Sequence, residues 1–342
     1  MYVFQTGRFP KTAGRLLQST TIIPIREYVS AKYAQMIPEK FYRKRIVMGD
    51  VTQSERYNRV VENIDQLPSL PAVVTRLIEI VNSPDTSADD AAGLIEKDPA
   101  LTSKMLRLAN SAFYGIPRTI SSVSSAVVIL GFNTIKSLVL SASVMKIFGN
   151  DMQSENFDRK QFWRHSIVCA LAARTIVRSF MNIRMMDPES AFCAGILHDI
   201  GKLVFDQYLH DDYHAACRYA AENNVSLLDA ESQVLGITHA ELGRMLADKW
   251  ALPIELEASI VSHHAPDTAG KIIDLVTVVH VADIITHHLN VDLWEGETGP
   301  REWARSRTLL KMDDAIYRRI VETVENEIDK SNEFFSIVNS GD

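Results

Sequence analysis

Histidine and aspartate recur through the second half of the chain in a pattern suited to holding a cation. In order they are His165 in FWRHS, the adjacent His198–Asp199 in HDIGK, His239 in ITHAELG, His263–His264 in SHHAP, and His280 with Asp283 in VVHVAD. Imidazole and carboxylate are the side chains that bind zinc, iron, manganese or nickel. A helical bundle can aim such groups inward from several facing helices. Neighbouring residues on a helix point about 100° apart, so His198 and Asp199 reach one ion only at a frayed helix end. Gly201 is expected to supply that end.

Each residue also has a local explanation. His165 stands among Val168, Cys169 and Ala172, the setting of an ordinary core histidine. Asp199 lies three residues before Lys202, close enough to pair with it on a helix. His263–His264 would suit a helix C-terminus, where the dipole favours them. His210, His214, His287 and His288 read as exposed helix positions without a role. Taken together, five helices that each deliver a ligand-type residue beside apolar sequence favour a shared ion.

The elements that must position these groups read as helices almost throughout. PAVVTRLIEIV (71–81) places Val74, Leu77, Ile78 and Val81 on one face. Ser87 caps the next helix, with Asp89 and Asp90 in its first turn. Asp98–Pro99 is a cap followed by proline at the first helical position, and the helix after it, ALTSKMLRLANSAF, should run to Tyr114–Gly115. SVSSAVVILG stops at Gly131, and NTIKSLVLSASVMKIFG at Gly149. A long helix carrying His165 is expected from Asp158 through Met181. Others fit 188–198, 211–223, 226–235, 238–250, 253–263 and 270–289, and a last amphipathic helix fits 313–337, after a loop-like WEGETGPREWARSR. No segment alternates as a strand does. The expected class is all-α, with two helical lobes. The boundaries are a basic extension over 1–55, a first lobe over 56–150, a second, ligand-bearing lobe over 151–290, and a C-terminal loop and helix over 291–342.

Composition excludes several classes of function. The net charge of −7 argues against a global pull toward nucleic acid or anionic lipid. No run of about 18 apolar residues suggests a membrane-spanning helix. Cys169, Cys193 and Cys217 sit in apolar helical sequence without a Cys-x-x-Cys spacing, the usage of a reducing cytoplasm. The first 49 residues carry Lys or Arg at 8, 11, 15, 26, 32, 40, 43, 44 and 45 against only Glu27 and Glu39. That leader is expected to be a poorly ordered tail, or an extension upstream of a start at Met48, rather than a targeting or anion-binding arm. It is too short to form a fused receiver or other sensory domain.

The order His…His-Asp…His…His-His…Asp resembles the HD superfamily of metal-dependent phosphohydrolases. LPSLPAVVTRLIEIVNSP, IEKDPALTSKMLRLANSAFYG and SVSSAVVILGFNTIKSLVLS resemble its HDOD branch, and the likeness spans roughly 64–290. The resemblance implies an all-α fold and a role as a bacterial signalling output module, generally with phosphohydrolase activity lost. Carried over position by position, it implies metal ligands at His165, His198, Asp199, His239, His263, His264 and Asp283. Lys202 matches the lysine that follows the His-Asp pair in HD-GYP phosphodiesterases. The chain departs from those enzymes at Ala265, where their HHE motif becomes HHA, at the missing GYP element, and at Gln161, which replaces a glutamate of their trinuclear sites.

Two functions follow as expectations. The favoured one is a non-catalytic cytoplasmic regulator that retains a site for divalent iron, manganese, zinc or nickel. It would act on signalling partner proteins, with a nucleotide as a further ligand and without nucleic acid or membrane insertion. The other is an active metal-dependent phosphohydrolase on nucleotide or cyclic-nucleotide substrates, with Asp199 and Lys202 in the catalytic roles.

Overall fold

The computed structural model describes residues 67–81, 86–149, 157–180, 186–291 and 303–339. The basic leader, the 1–55 extension and the first part of the 56–150 lobe lie outside these residues. Among the described residues all regular elements are helices, as the all-α class requires. The span read as the first lobe holds α1 (Ala72–Val81), α2 (Ala88–Ile95), α3 (Pro99–Ala109), α4 (Val123–Leu130) and α5 (Phe132–Ile147). The second holds α6 (Arg159–Ser179), α7 (Pro188–Leu197), α8 (Ile200–Tyr208), α9 (His210–Asn223), α10 (Leu227–Val234), α11 (His239–Lys249), α12 (Ile254–Ser262) and α13 (Ile273–His288). Two further helices, α14 (Trp303–Leu310) and α15 (Asp314–Asn339), follow.

Local chemistry starts these helices where the sequence says it should. Ser87 and Asp90 form a reciprocal capping box at α2, and Asp98 accepts from Leu101 N–H at 3.0 Å ahead of Pro99. Asp158 Oδ1 accepts from the N–H groups of Lys160 and Gln161 and opens α6. Val74, Leu77 and Ile78 are buried, as their spacing requires.

Three stretches differ from expectation. α3 ends at Ala109 rather than near Tyr114, because the Asn110 side chain turns back on the chain. Its amide donates to Leu106 O and Ile120 O, each at 2.8 Å, and its carbonyl accepts from Ile120 N–H at 2.7 Å. The result is a clamped loop that carries Phe113 and Tyr114. A separate helix, α8, follows the His-Asp pair, where no helix was expected between 198 and 211. The end of WEGETGPREWARSR forms α14, with the Trp303 ring 4.9 Å from that of Tyr317 and the Arg307 guanidinium over it at 5.1 Å.

One continuous apolar core runs from Leu67 to Val338 and joins the two lobes. The clamped loop is a main junction. Phe113 meets Phe192 of α7 and Phe334 of α15, with ring centroids 5.6 and 5.0 Å apart, and the Arg174 guanidinium lies 4.4 Å over Phe113. Edge-on aromatic contacts of this kind contribute about 0.5–1.5 kcal/mol beyond burial, and a desolvated cation over a ring up to about 2. At the opposite end Arg159, buried, bonds Asp206 of α8 at 2.7 Å and the carbonyls of Phe148 and Gly149, which ties α5, α6 and α8 together. Lys249 and Trp250 donate to Leu67 O and Pro68 O at 2.6 and 2.7 Å, pinning the LPSLP stretch to the end of α11.

No single described helix is long and apolar enough to cross a membrane; α4 and α5 would be so only together, and they meet at 119°. The Asn110 clamp yields a stability prediction. Asn110→Ala removes three hydrogen bonds at the junction and is expected to lower unfolding free energy by about 1–3 kcal/mol in urea titration. A loss under about 0.5 kcal/mol would mean that the loop is held by its aromatic contacts alone.

Candidate metal centre

The site lies where α6, α7, α8, α11, α12 and α13 meet. α7 ends at Leu197, and His198 (φ −52°, ψ −38°) and Asp199 (φ −100°, ψ 10°) form the corner before α8. The corner itself, rather than a fraying at Gly201, lets adjacent side chains face one point. Gly201 has another task within the first turn of α8. A Cβ there would stand 1.9 Å from the His239 carbonyl oxygen, so only glycine lets α8 approach α11 closely enough. Gly195 does the same between α7 and α6, where a Cβ would meet Ala170 Cα at 2.6 Å.

Asp199 is the centre of the arrangement. Its Oδ1 lies 3.3 Å from His239 Nε2 and 3.4 Å from His263 Nε2. Its Oδ2 lies 3.3 Å from His198 Nε2 and 3.8 Å from His165 Nε2, and accepts from Lys202 Nζ at 2.7 Å. Asp283 Oδ1 stands 3.2 Å from His165 Nε2 and 3.8 Å from His198 Nε2. His264 Nε2 is 2.9 Å from His239 Nε2. Two groups emerge whose ligand atoms all lie within 4.8 Å of one another: Asp199, His239, His263 and His264, and His165, His198 and Asp283. Every residue expected in the site is therefore brought to it, and the Asp199–Lys202 pair read as an alternative coexists with the cluster.

The backs of four rings are fixed. His165 Nδ1 bonds Val291 O at 2.8 Å, His198 Nδ1 bonds Gly195 O at 2.8 Å, and His263 Nδ1 bonds Ile260 O at 3.0 Å. His239 Nδ1 bonds the buried Glu231 carboxylate at 2.7 Å. Carbonyl and carboxylate oxygens only accept, so each of these Nδ1 atoms carries a proton and Nε2 is the ring nitrogen turned inward. Holding the outer nitrogen this way is how proteins orient metal-binding imidazoles.

Those inward atoms face one another without a donor between them. His165 Nε2, His198 Nε2, Asp199 Oδ1 and Asp283 Oδ1 are buried and lack a hydrogen-bond partner. Lone pairs on nitrogen and oxygen at 3.2–3.8 Å repel unless a proton or a cation lies between them. The charge count agrees: Asp199, Asp283 and Glu231 are buried carboxylates, against the single ammonium of Lys202. Burial pushes the Asp199 carboxyl up, but His198 and Lys202 outweigh it and hold it well below the usual carboxylate range. Burial likewise pushes Asp283 up, while His287 and His165 hold it well below. At His198 burial favours the neutral ring, yet Asp199 outweighs it and holds the ring well above the usual histidine range. A proton there stands in for the missing positive charge. Burial pushes His263 down to about 4, which leaves it neutral. The donor set thus fits a divalent ion, held by His165, His198, Asp199 and Asp283 on one side and by Asp199, His239, His263 and His264 on the other.

Two residues of the site, Glu231 and His287, were not anticipated as participants. Glu231 orients His239; its signal is a carboxylate at an apolar register of α10, one residue after Ala230 and four after Leu227, both buried. His280, part of the sequence pattern, lies outside both ligand groups and instead bonds His263 O at 2.7 Å, bracing α12. His287, read as exposed, turns toward Asp283 with Nε2 3.5 Å from Oδ1. His288 is exposed and bonds Tyr317, and His210 bonds Asp206 at 3.0 Å away from the centre. Gln161 lies at the rim of a cavity of about 340 Å³ beside Lys160, Arg164 and Phe335, outside both ligand groups.

The HDOD domain model matches residues 67–266. A protein of Shewanella amazonensis SB2B, whose assignment as a phosphohydrolase is provisional, is 25% identical. Its structure aligns over 82% of this chain and 98% of its own, with a TM-score of 0.64. An HDOD domain protein of unknown function from Geobacter sulfurreducens is also 25% identical, over 84% of this chain and 98% of its own, with a TM-score of 0.63. An uncharacterized protein of Treponema pallidum (strain Nichols) is 26% identical over 248 residues, 72% of this chain and 46% of that relative. The chain thus spans about half the length of the curated relative it matches.

The close approach at Gly201 gives a direct test of the geometry. Gly201→Ala forces α8 away from the His239 backbone and is expected to cost at least about 2 kcal/mol of stability, measured by urea unfolding. Metal affinity should fall with it, since Asp199 and His239 separate. A variant as stable as the wild type would contradict this packing.

Proposed function

This chain belongs to the HDOD domain family, and from that premise we propose that it is a signal-transduction output protein whose His/Asp cluster holds divalent metal without turning over a substrate. The observation that carries this reading is closure. His165, His198, Asp199, His239, His263 and Asp283 each expose no more than 3% of their surface, and only His264 of the ligand set is partly exposed. A hydrolytic site keeps a coordination position open for water and substrate; here the chain's own side chains converge instead. A bound ion would supply the positive charge that the buried carboxylates lack and would tie six helices together. Lys202, also buried, is committed to Asp199 Oδ2 at 2.7 Å. Ala265 and the missing GYP element remove groups that the cyclic-dinucleotide enzymes carry. The output would pass by surface contact to partner proteins in the cytoplasm, and a nucleotide is the small ligand to test.

A second reading, a working phosphohydrolase, is favoured by one observation: the complete set of inward-facing donors beside an ammonium. If substrate reached the site, Lys202 would neutralise charge developing on a phosphoryl oxygen. The similarity to the Shewanella amazonensis protein is compatible with either reading.

One sample separates them. Wild-type protein, purified gently, is assayed for metal by elemental analysis and for turnover of nucleotides, cyclic dinucleotides and simple phosphoesters, with Asp199→Ala as control. The expected result is bound divalent metal in the wild type, largely lost in the variant, and no turnover in either. Robust turnover that Asp199→Ala abolishes would establish the enzyme and overturn the regulatory reading.

A further inference from the structure

We propose that His287 supplies an additional ligand to the ion held by His165, His198 and Asp283, filling the position through which a hydrolytic site would admit water. This rests on the metal-binding reading above and extends it to a residue outside the set inferred from sequence. Asp283 and His287 are four residues apart on α13 and so share one face of the helix. Three imidazole nitrogens surround a single carboxylate oxygen, Asp283 Oδ1: His165 Nε2 at 3.2 Å, His287 Nε2 at 3.5 Å and His198 Nε2 at 3.8 Å. The His287 ring stands edge-on to that of His165, with centroids 5.4 Å apart.

Convergence of this kind has a physical meaning. Asp283 Oδ1 and the Nε2 atoms of His165 and His198 are buried without a hydrogen-bond partner. The His287 imidazole is a third ring directed at the same oxygen, at a point already short of positive charge. His287 is the most exposed of the four side chains, at 13%. His288, the next residue, faces away and bonds Tyr317, so a ligand role falls on one member of the pair alone. With Asp199 Oδ2, 3.3 Å from His198 Nε2, as a further donor, His287 would bring the donors around this ion to five and leave one position fewer for exchangeable water.

A simple i,i+4 ion pair between a protonated His287 and Asp283 is the competing explanation, and metal binding distinguishes the two. The full-length chain and its His287→Ala, His287→Gln and His288→Ala variants are titrated with Mn²⁺, and the longitudinal relaxation of water protons is recorded at saturation. The expected result is a loss of Mn²⁺ affinity of about tenfold or more in both His287 variants, the scale on which a supporting group at a metal site acts. Water relaxation per bound ion should rise above wild type in the same variants, and His288→Ala should behave as wild type. Unchanged affinity and relaxation in the His287 variants would reduce the residue to an ion-pair partner and overturn the proposal. So would equal effects of His287→Ala and His288→Ala. If the wild type itself binds no Mn²⁺ and no other divalent ion, the metal-binding reading fails as well; the defect then appears without any substitution.

Discussion

The structure depends on one electrostatic constraint: buried lone pairs converge on a region that lacks a positive charge. Six helices bring imidazole nitrogens and carboxylate oxygens to within 3.2–3.8 Å of Asp199 and Asp283, and the protein fixes the outer nitrogens of His165, His198, His239 and His263 so that these rings cannot turn away. Leaving such groups buried and unpaired costs several kcal/mol each. A cation offsets that cost for all of them at once. The rest of the second lobe serves the convergence. The glycines at 195 and 201 let the helices approach, Arg159 holds α8 against α5 and α6, and Glu231 and His280 brace α11 and α12.

The first lobe and the C-terminal helix matter because they touch the same scaffold. Phe113, on the loop clamped by Asn110, packs on Phe192 of α7, the helix that delivers His198 and Asp199. Phe334 of α15 contacts both rings, and Glu333 of the same helix accepts from Ala112 N–H at 2.8 Å. A change in the first lobe or in α15 is thus felt two helical turns from the ligand corner. The proposed regulatory role needs that kind of coupling, and a bound metal would give the far end of it a rigid anchor.

Much of this was legible in the sequence because the signals were local. Caps at Ser87, Asp98 and Asp158 and apolar periodicity placed most helices within a few residues. The ligand types and their order marked the site. What the sequence concealed was tertiary. The role of Gly201 depends on the His239 carbonyl, 38 positions away along the chain, and so was mistaken for a helix terminator. α3 stops early because the Asn110 side chain finds Ile120, a contact that helical periodicity does not report. His287 looked exposed because it lies at the end of α13 beside an exposed neighbour, and its orientation is decided by Asp283. Glu231 showed only as a carboxylate in an apolar register.

The most direct test of a shared cation is thermal unfolding of the intact protein before and after exhaustive chelation, followed by titration with one divalent metal at a time. Ligand binding to the native state alone raises stability in proportion to the logarithm of ligand concentration over Kd. The account predicts a clear fall in Tm on chelation and its recovery at near-stoichiometric metal, with Asp199→Ala indifferent to both treatments. A wild-type Tm that ignores chelator and metal alike would contradict it.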